Sequence, residues 1–209
     1  MSRPMLVFGT ANRKKGIELA EVFAPLGFDC RALADFPQAI AVVEDGDSFA
    51  ANAALKAVVQ AKHLGCWVLG EDSGLMVDAL GGAPGVFSAR FSGPGATDHS
   101  NNRLLLERLG DLPLPQRTAR YVCHMTLSDP QGRVRAESEG ECRGRMLLGP
   151  RGSGGFGYDP LFEVIEYHCT FGELSPRVKA CLSHRARAAR QLIPQLRALV
   201  ASCADAMSP

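Results

Sequence analysis

Short apolar runs that alternate with longer helical patterns open the chain, and this alternation constrains its fold more than any other feature. The run Pro4–Phe8 precedes a helical pattern that Asn12 can cap and Gly27 can end. A second helical pattern spans Ser48–Leu64, and the apolar run Cys66–Gly70 follows it. Apolar runs of this length are typical of buried strands. The pattern therefore predicts strands that are separated by helices.

The second half of the chain adds further strand-like stretches. Two β-rich runs within residues 118–146 flank the turn Pro130–Gly132, which predicts a long hairpin. The run Leu161–Ile165 predicts another short strand, and a helical stripe begins near Ser183. Pro194 lies inside that stripe and predicts a bend in the last helix. This mixture predicts an α/β fold, with a long twisted mixed β-sheet flanked by helices.

Length and composition indicate one soluble domain. The 209 residues include 23 basic and 22 acidic residues, so the net charge of +1 predicts no bulk binding to nucleic acid or to a membrane. No apolar run is long enough to span a bilayer, and the seven cysteines contain no C-x-x-C pair, which is typical of a cytoplasmic protein. We expect a single domain over residues 1–202 and a frayed tail over residues 203–209.

Three consecutive cations mark the start of the first predicted helix. The stretch Gly9–Lys15, "GTANRKK", joins the first strand to that helix. Backbone N–H groups at a helix N-terminus attract an anion, whereas cations are unfavourable there unless an anion is bound. The P-loop pattern is absent. We interpret the stretch as a phosphate-binding segment, with a solvated basic turn as the alternative.

Two neighbouring carboxylates, Glu71 and Asp72, follow the apolar run Cys66–Gly70. We expect the strand to end at these acids and the chain to turn at Ser73 and Gly74. A solvated acidic loop would explain them. A site that holds a cation and a water would explain them as well, because carboxylate oxygens are good ligands for hard cations.

The glycine-rich stretch Gly152–Gly157 matches G-x-G-x-x-G letter for letter. The dinucleotide-binding fingerprint must follow a strand and open a helix, whereas a strand-like run comes after this stretch. A dehydrogenase is therefore disfavoured. The glycines would instead let the backbone approach a ligand closely, with Phe156 or Tyr158 stacking on a flat ring. A flexible surface turn is the alternative.

His184 and Arg185 begin the last predicted helix, and Lys179 lies just upstream. Imidazole and guanidinium groups can donate hydrogen bonds to the carbonyl edge of a base, although a solvated helix face explains them as well. Together with the phosphate-binding segment, the paired acids and the aromatic loop, they supply what a nucleoside triphosphate hydrolase needs.

These motifs occur together in a recognisable order. They are T-x-N-x-x-K at Thr10–Lys15, D-S-G-L at Asp72–Leu75, and the stretches Val77–Gly93, Gly154–Phe162, Thr170–Ser175 and Leu182–Ala188. With them the chain resembles the inosine triphosphate pyrophosphatase family, from about residue 5 to about residue 200. The resemblance implies two lobes with a nucleotide-binding cleft between them, usually in a homodimer. It also implies Mg²⁺-dependent hydrolysis of ITP, dITP or XTP to the monophosphate and pyrophosphate, which cleanses the nucleotide pool.

The resemblance further implies roles for individual residues. Asp72 would be the general base and, with Glu71, a magnesium ligand, while Lys56 would contact phosphate at the catalytic centre. The other implied substrate contacts are Thr10, Ala11, Asn12, Arg13, Lys14, Lys15 and Lys179 at the phosphates, Ser73, Phe156, Gly157, Tyr158 and Asp159 elsewhere on the nucleotide, and His184 and Arg185 at the 6-oxo edge of the purine. Water is a poor nucleophile, so a positioned carboxylate suits this reaction.

One position departs from the family pattern. The stretch Ser48–Ala57, "SFAANAALKA", resembles the family's F-x-E-N-A-x-x-K-A helix, but Ala51 stands where an acid that helps to hold Mg²⁺ is usual. Glu71 or water would then replace that acid. Otherwise the chain would bind nucleotide with impaired turnover, as a natural or an engineered variant. A hydrolase with another choice of base, such as modified pyrimidine or ordinary nucleoside triphosphates, is the other enzyme that the motifs allow.

Overall fold

The structure is a computed structural model that describes the backbone of residues 5–205 and the side chains of residues 5–199. Its strands are β1 (Met5–Phe8), β2 (Asp29–Ala32), β3 (Val68–Val77), β4 (Thr118–Ser128), β5 (Val134–Met146), β6 (Phe162–Val164) and β7 (Cys169–Thr170). Its α-helices are α1 (Arg13–Phe23), α2 (Phe49–Leu64), α3 (Asp98–Leu109), α4 (Pro176–Leu182) and α5 (His184–Asp205). Short 3₁₀ helices are Ala24–Leu26, Leu33–Asp35, Asp78–Leu80, Gly85–Arg90, Leu114–Gln116 and Ile165–Tyr167.

The described strands form one mixed sheet in the order β2-β1-β3-β4-β5-β6-β7. β1 pairs in parallel with β2 and with β3, where Val7 lies opposite Val68. β6 pairs in antiparallel fashion with β5 and with β7. The predicted α/β fold with a mixed sheet is confirmed.

The chain forms two compact units. Within the described range, the first unit comprises residues 5–72, 123–140 and 185–205, and the second comprises residues 73–122 and 141–184. Each unit has its own apolar core. The first core contains Leu6, Phe8, Leu19, Phe23, Leu69, Met125, Leu127, Leu192 and Leu196. The second contains Leu75, Val77, Leu105, Leu109, Tyr121, Met146, Leu161, Phe162 and Phe171.

The second helix begins and ends as predicted, whereas α1 begins as predicted but ends at Phe23, before Gly27. Asn12 caps α1, and the 3₁₀ turn that follows α1 ends at Gly27, which has a left-handed φ of 86°. Ser48 caps α2, since its hydroxyl accepts a hydrogen bond from the amide of Ala51. Gly65 ends α2 with a φ of 64°, a conformation that glycine adopts without strain. Local capping chemistry therefore accounts for the start of both helices and for the end of α2.

The predicted hairpin is also present. β4 and β5 are neighbours in the sheet, and residues 129–133 join them. The amide of Gly132 donates to the carbonyl of Asp129 at 2.8 Å, and the amide of Asp129 donates to the carbonyl of Arg133 at 3.0 Å. A connection this short suits a hairpin, because a parallel crossover needs a dozen residues or more.

The prediction that a strand ends at Glu71 and Asp72 is wrong. β3 continues through both acids to Val77, with no turn at Ser73 and Gly74. Leu75 and Val77 are fully buried in the core of the second unit. Burial of these apolar side chains favours extension of the strand, so the two acids lie within it rather than at its end.

Three other features differ from the sequence prediction. Helices α3 and α4 were not predicted, because their apolar positions are few and lie among polar residues. α5 is helical through Pro194 and reaches Asp205, so residues 203–205 of the predicted tail are helical. Residues 206–209 lie outside the described residues. None of the described helices is both long and apolar enough to cross a bilayer.

Candidate active site

The segment between β1 and α1 uses its own side chains to hold the start of the helix. Thr10 Oγ1 accepts from the amide of Asn12 at 3.2 Å. Asn12 Oδ1 accepts from the amides of Lys14 and Lys15 at 3.0 and 3.3 Å. These amides are therefore already bonded, and an anion would meet the exposed side chains and the helix dipole first. The exposed side chains of this segment belong to Ala11, Asn12, Arg13 and Lys14.

Lys15 belongs to a buried charge cluster in the first unit. Its Nζ lies 3.1 Å from Oε2 of Glu71, a side chain that is 0% exposed. Oε1 of Glu71 accepts from Nη2 of Arg185 at 2.8 Å and from Sγ of Cys123 at 3.4 Å. Arg185 also pairs with Glu18. Two cations and two carboxylates thus balance, which is what burial of charge requires.

Burial and charge act in opposite directions on Arg185. Burial disfavours the charged guanidinium, but Glu71 and Glu18 outweigh this effect and raise its pKa. Burial raises the pKa of the Cys123 thiol well above its ordinary value, and Glu71 adds to this. The arginine therefore stays charged and the thiol stays protonated as a donor.

Asp72 projects to the opposite face of β3 from Glu71, because successive side chains of a strand alternate. Its Oδ1 lies 2.9 Å from Nζ of Lys56, and its Oδ2 accepts from Nδ2 of Asn52 at 3.3 Å. The same Lys56 Nζ lies 2.9 Å from Oε2 of Glu44. Two carboxylates therefore converge on one ammonium group.

The environment shifts both partners of the Asp72–Lys56 pair. Burial raises the pKa of the Asp72 carboxyl, while the positive charges of Lys56 and Lys15 oppose the rise. Burial disfavours the charged form of Lys56, but Asp72 and Glu71 more than compensate, so the pKa of Lys56 is raised. A carboxylate with a raised pKa is a stronger base than an exposed one, which suits proton abstraction from water.

Gly70 brings α2 close to β3 and so sets the distance between Lys56 and Asp72. A Cβ at Gly70 would lie 2.1 Å from the carbonyl oxygen of Ala53 and 2.7 Å from the amide nitrogen of Ala57. Backbone atoms cannot move aside as a flexible side chain can. Only glycine allows this approach, one strand position before Glu71 and two before Asp72.

In the second unit, Asp159 holds the glycine-rich loop. Its Oδ2 accepts from the amide of Phe156 at 2.8 Å and from Nζ of Lys179 at 2.7 Å. The Lys179 ammonium also lies 4.7 Å from the centroid of the Phe156 ring, within cation–π range. The loop opens no helix and leads instead into β6, which agrees with the exclusion of a dinucleotide fingerprint.

The other predicted residues of the second unit have different surroundings. His184 is buried and stacks on Tyr121, with ring centroids 4.7 Å apart and planes 9° apart. Tyr158 is buried as well, and its hydroxyl donates to the carbonyl of Ser88 at 2.8 Å. Ser73 is partly exposed on β3. Phe156, partly exposed, is therefore better placed than Tyr158 to stack on a ligand.

Comparison with known proteins identifies the family. A model of the Ham1 family matches residues 6–195. The chain belongs to the Ham1 family. A dITP/XTP pyrophosphatase from Rhodopirellula baltica is 55% identical over 197 residues, which cover 94% of this chain and 95% of that protein. A dITP/XTP pyrophosphatase from Desulforamulus reducens is 45% identical, over 93% of this chain and 96% of that protein.

Solved Ham1-family structures share the fold. A HAM1 protein from Coxiella burnetii has a TM-score of 0.82 and 34% identity, over 90% of this chain and 95% of that one. A nucleoside-triphosphatase / dITP/XTP pyrophosphatase from Mycobacterium abscessus has a TM-score of 0.73 and 39% identity, over 92% of this chain and 99% of that one. The resemblance drawn from the sequence motifs is thereby confirmed at the level of the family.

Within this Ham1-family chain, the predicted site residues fall into two groups, one in each unit. The first unit contains Thr10–Lys15, Lys56, Glu71, Asp72 and Arg185, and the second contains Ser73, Phe156–Asp159, Lys179 and His184. Glu71 and Asp72 were predicted to hold one cation, but β3 directs them to opposite faces, and Glu71 is bonded to Lys15 and Arg185. Arg185 was predicted to read a base edge, and its guanidinium is bonded instead to Glu71 and Glu18.

Sequence reasoning missed Glu44. Acids crowd the stretch Glu44–Asp47 before α2, but spacing alone does not show which of them approaches Asp72. The fold selects Glu44, in part because the amide of Gly46 donates to Asn52 Oδ1 at 2.9 Å and ties this stretch to the start of α2.

Glu44 and Asp72 supply carboxylate oxygens of the type that Mg²⁺ prefers. Among the side chains of residues 5–199 there is no cluster of three or more His, Cys, Asp and Glu that could form a complete metal cage. Mg²⁺ is usually held by one or two carboxylates together with waters and substrate phosphates, so it does not need such a cage. The carboxylates of Glu44 and Asp72 each lie 2.9 Å from the ammonium of Lys56, so oxygen atoms of both acids come close to one point.

Proposed function

We propose that this Ham1-family chain hydrolyses dITP, ITP and XTP to the corresponding monophosphate and pyrophosphate. The observation that carries the proposal is the 55% identity, over 94% of the chain, to a protein named dITP/XTP pyrophosphatase. The geometry around Asp72 supports the same reaction, because a buried carboxylate, a lysine and a second carboxylate are the groups that attack of water on a phosphate requires.

Asp72 acts as the general base in this proposal. Burial raises its pKa, so the carboxylate accepts a proton from water more readily than an exposed aspartate does. Hydrogen bonds from Lys56 and Asn52 hold its two oxygens and orient them. The ammonium of Lys56 also offsets negative charge that develops on the phosphate as water attacks.

Glu44 and Asp72 would hold the Mg²⁺ of the reaction. When bound, the ion would offset negative charge on the triphosphate and on the pyrophosphate that leaves. Arg13 and Lys14 are exposed at the start of α1, where they and the helix dipole favour the triphosphate. Lys15 contributes less directly, because its ammonium lies against Glu71.

The base is bound in this proposal by the loop Phe156–Asp159. Phe156 is partly exposed and is held by Asp159 and Lys179, so its ring is available to pack on a purine. Hypoxanthine and xanthine carry a 6-oxo group, and neither has the 2-amino group of guanine. Donors that face O6, together with a pocket that penalises an exocyclic amine, would select them. His184 stays a predicted donor to the 6-oxo edge.

An impaired, nucleotide-binding protein is not favoured as the alternative. That alternative rests on Ala51, which stands where the family pattern usually has an acidic residue. Glu44 places a second carboxylate near Asp72, and in this proposal it takes the place of an acid at residue 51 as a metal ligand. The homodimer inferred from the family resemblance stays a prediction that light scattering tests. A cytoplasmic location also stays a prediction, consistent with a substrate drawn from the nucleotide pool.

Pyrophosphate release tests the proposed function. The purified chain is assayed with dITP, ITP, XTP, dGTP and a modified pyrimidine nucleoside triphosphate, with and without Mg²⁺, and the products are separated by ion-exchange chromatography. We expect Mg²⁺-dependent formation of monophosphate and pyrophosphate from the first three nucleotides and little from dGTP. Asp72→Asn keeps the size and one hydrogen-bond acceptor of the side chain but removes the base, so it serves as the inactive control.

Three results would contradict the proposal. Release of orthophosphate rather than pyrophosphate would indicate a different bond cleaved. Equal turnover of dGTP or of the pyrimidine would indicate a hydrolase with another choice of base. Tight binding of dITP without any release would favour the impaired protein after all.

A further inference from the structure

Side chains of helix α3 form hydrogen bonds with both backbone polar groups of Gly157. The amide of Gly157 donates to Oδ2 of Asp98 at 2.9 Å, and its carbonyl accepts from Nδ2 of Asn102 at 3.0 Å. Asp98 and Asn102 are four residues apart, so they lie on the same face of α3. We call these two side chains the α3 clamp. All of these residues belong to the second unit.

The clamped peptide lies at the centre of the loop assigned to the base. Gly157 has a left-handed φ of 62°, and apart from its two chain neighbours no residue has an atom within 4 Å of a Cβ built at this position. Distant side chains therefore do not confine Gly157 by packing, and its hydrogen bonds to α3 fix its backbone together with the bonds between Asp159 and Phe156. Phe156 precedes this peptide directly, and Asp159 follows two residues later.

A second set of contacts makes α3 a firm support. Asn101, next to Asn102, is buried and donates to the carbonyls of Ser88 and Ala89 at 3.3 and 3.2 Å. Ser88 in turn accepts the hydroxyl of Tyr158 at 2.8 Å. Leu105 of α3 is fully buried in the core of the second unit. Gly157 is thereby bonded to α3 directly, and Tyr158 is linked to α3 through Ser88.

We propose that Asp98 and Asn102 are positioning residues of the pyrophosphatase reaction, which hold the loop Phe156–Asp159 in the form that binds the base. This inference rests on the proposed function. The clamp acts through the orientation of Phe156. A loop that is ordered before the nucleotide arrives loses less conformational entropy on binding, so the clamp lowers KM more than it changes kcat.

The chain offers clean variants for a test. Asn102→Ala removes the donor to Gly157, and Oδ1 of the same side chain has no hydrogen-bond partner within the described residues, so little else is lost. Asp98→Ala removes the acceptor, whereas Asp98→Asn keeps an oxygen in the same place and should restore the bond. Arg103→Ala is the matched control, since Arg103 is exposed on the same helix and pairs with Glu107.

Two measurements are made on each full-length variant. Hydrogen–deuterium exchange of residues 152–160 is followed in the ligand-free protein, and kcat and KM are measured for dITP. We expect faster exchange and a KM raised about tenfold in Asn102→Ala and Asp98→Ala, with kcat within about twofold of the wild type. Asp98→Asn and Arg103→Ala should resemble the wild type in both measurements.

Unchanged exchange in Asn102→Ala and Asp98→Ala would overturn the proposal, because α3 would then not hold the loop. Faster exchange with an unchanged KM would also overturn it, because the loop geometry would then not matter for the nucleotide. A wild type that hydrolyses no dITP would refute the proposed function instead. In that case the exchange rates still decide whether the α3 clamp holds the loop.

Discussion

Replacing Glu71 by glutamine separates a structural acid from a metal ligand. The two acids at the centre of β3 are neighbours in sequence, and sequence reasoning assigned Mg²⁺ to both. In the structure Glu71 is fully buried between Lys15 and Arg185, while Asp72 shares Lys56 with Glu44. We therefore expect Glu71→Gln to lower stability and to leave the Mg²⁺ requirement of the folded protein unchanged.

The magnitude follows from the charges that surround Glu71. Lys15 and Arg185 are balanced by Glu71 and Glu18, so glutamine leaves two cations with one carboxylate in a buried place. Breaking a buried ion pair by removal of one partner costs roughly 3–5 kcal/mol. At about 2–4 °C per kcal/mol for a chain of this size, the melting temperature should fall by roughly 6–20 °C.

Glu44→Gln is the matched control, since it makes the same chemical change at the acid that shares Lys56 with Asp72. Its side chain is 37% exposed, and Lys56 retains Asp72 as a partner. Loss of a partly exposed ion pair changes stability by about 1 kcal/mol or less. The same variant should raise the Mg²⁺ concentration needed for half-maximal dITP hydrolysis, because one of the two carboxylates proposed to hold the ion is gone.

Thermal unfolding by circular dichroism and a Mg²⁺ titration of dITP hydrolysis are performed on both variants. The reasoning predicts a crossed result, in which Glu71→Gln shifts only the melting temperature and Glu44→Gln shifts only the Mg²⁺ titration. A Glu71→Gln protein that melts like the wild type but needs more Mg²⁺ would refute it, and would return Glu71 to the metal site.

Three further predictions concern the same site. Lys56→Met removes a positive charge that opposes the raised pKa of Asp72, so that pKa should rise further. Because the base must be ionised, the acid limb of kcat/KM against pH should then move to higher pH, and an unmoved limb would contradict the assignment. Gly70→Ala places a Cβ 2.1 Å from the backbone of α2 and should lower the free energy of unfolding, measured by urea denaturation, by about 3 kcal/mol or more. Gly16→Ala is the control, since its Cβ has no atom of the surrounding structure within 4 Å, and it should be neutral or slightly stabilising. Ala51→Glu should leave the Mg²⁺ dependence close to that of the wild type, and a clear gain in activity or in Mg²⁺ affinity would mean that alanine at this position weakens the site.

Local chemistry made several elements predictable. Asn12 and Ser48 cap their helices through their own backbone neighbours, and Gly27 and Gly65 end helical segments for steric reasons that involve no distant residue. The hairpin turn is equally local. Helix α3 was not predictable in this way, since three apolar residues in a row, Leu104–Leu106, do not show which of them faces a core.

The sequence predicted most side chains of the site, but it did not predict which groups they pair with. Spacing and resemblance selected Asp72, Lys56 and Lys179, and each of them makes a buried ion pair. The sequence did not show which of the acids in Glu44–Asp47 belongs to the site, because the approach of Glu44 to Lys56 depends on how the stretch before α2 folds. The different partners of the two acids of β3 were also not predictable, since Asp72 meets Lys56 of the preceding helix α2, whereas Glu71 meets Lys15 of α1 and Arg185 of α5, which are distant in sequence.

The sequence by itself determined the class of fold, the family and most of the polar side chains of the site, because these depend on periodicity, on capping and on motifs that are contiguous in the chain. Only the tertiary structure decided that Glu71 serves a buried charge cluster while Asp72 faces Lys56 and Glu44. The physical reason is the alternation of a β-strand. Adjacent residues project to opposite faces, and what each of them meets is set by helices that other parts of the chain place there.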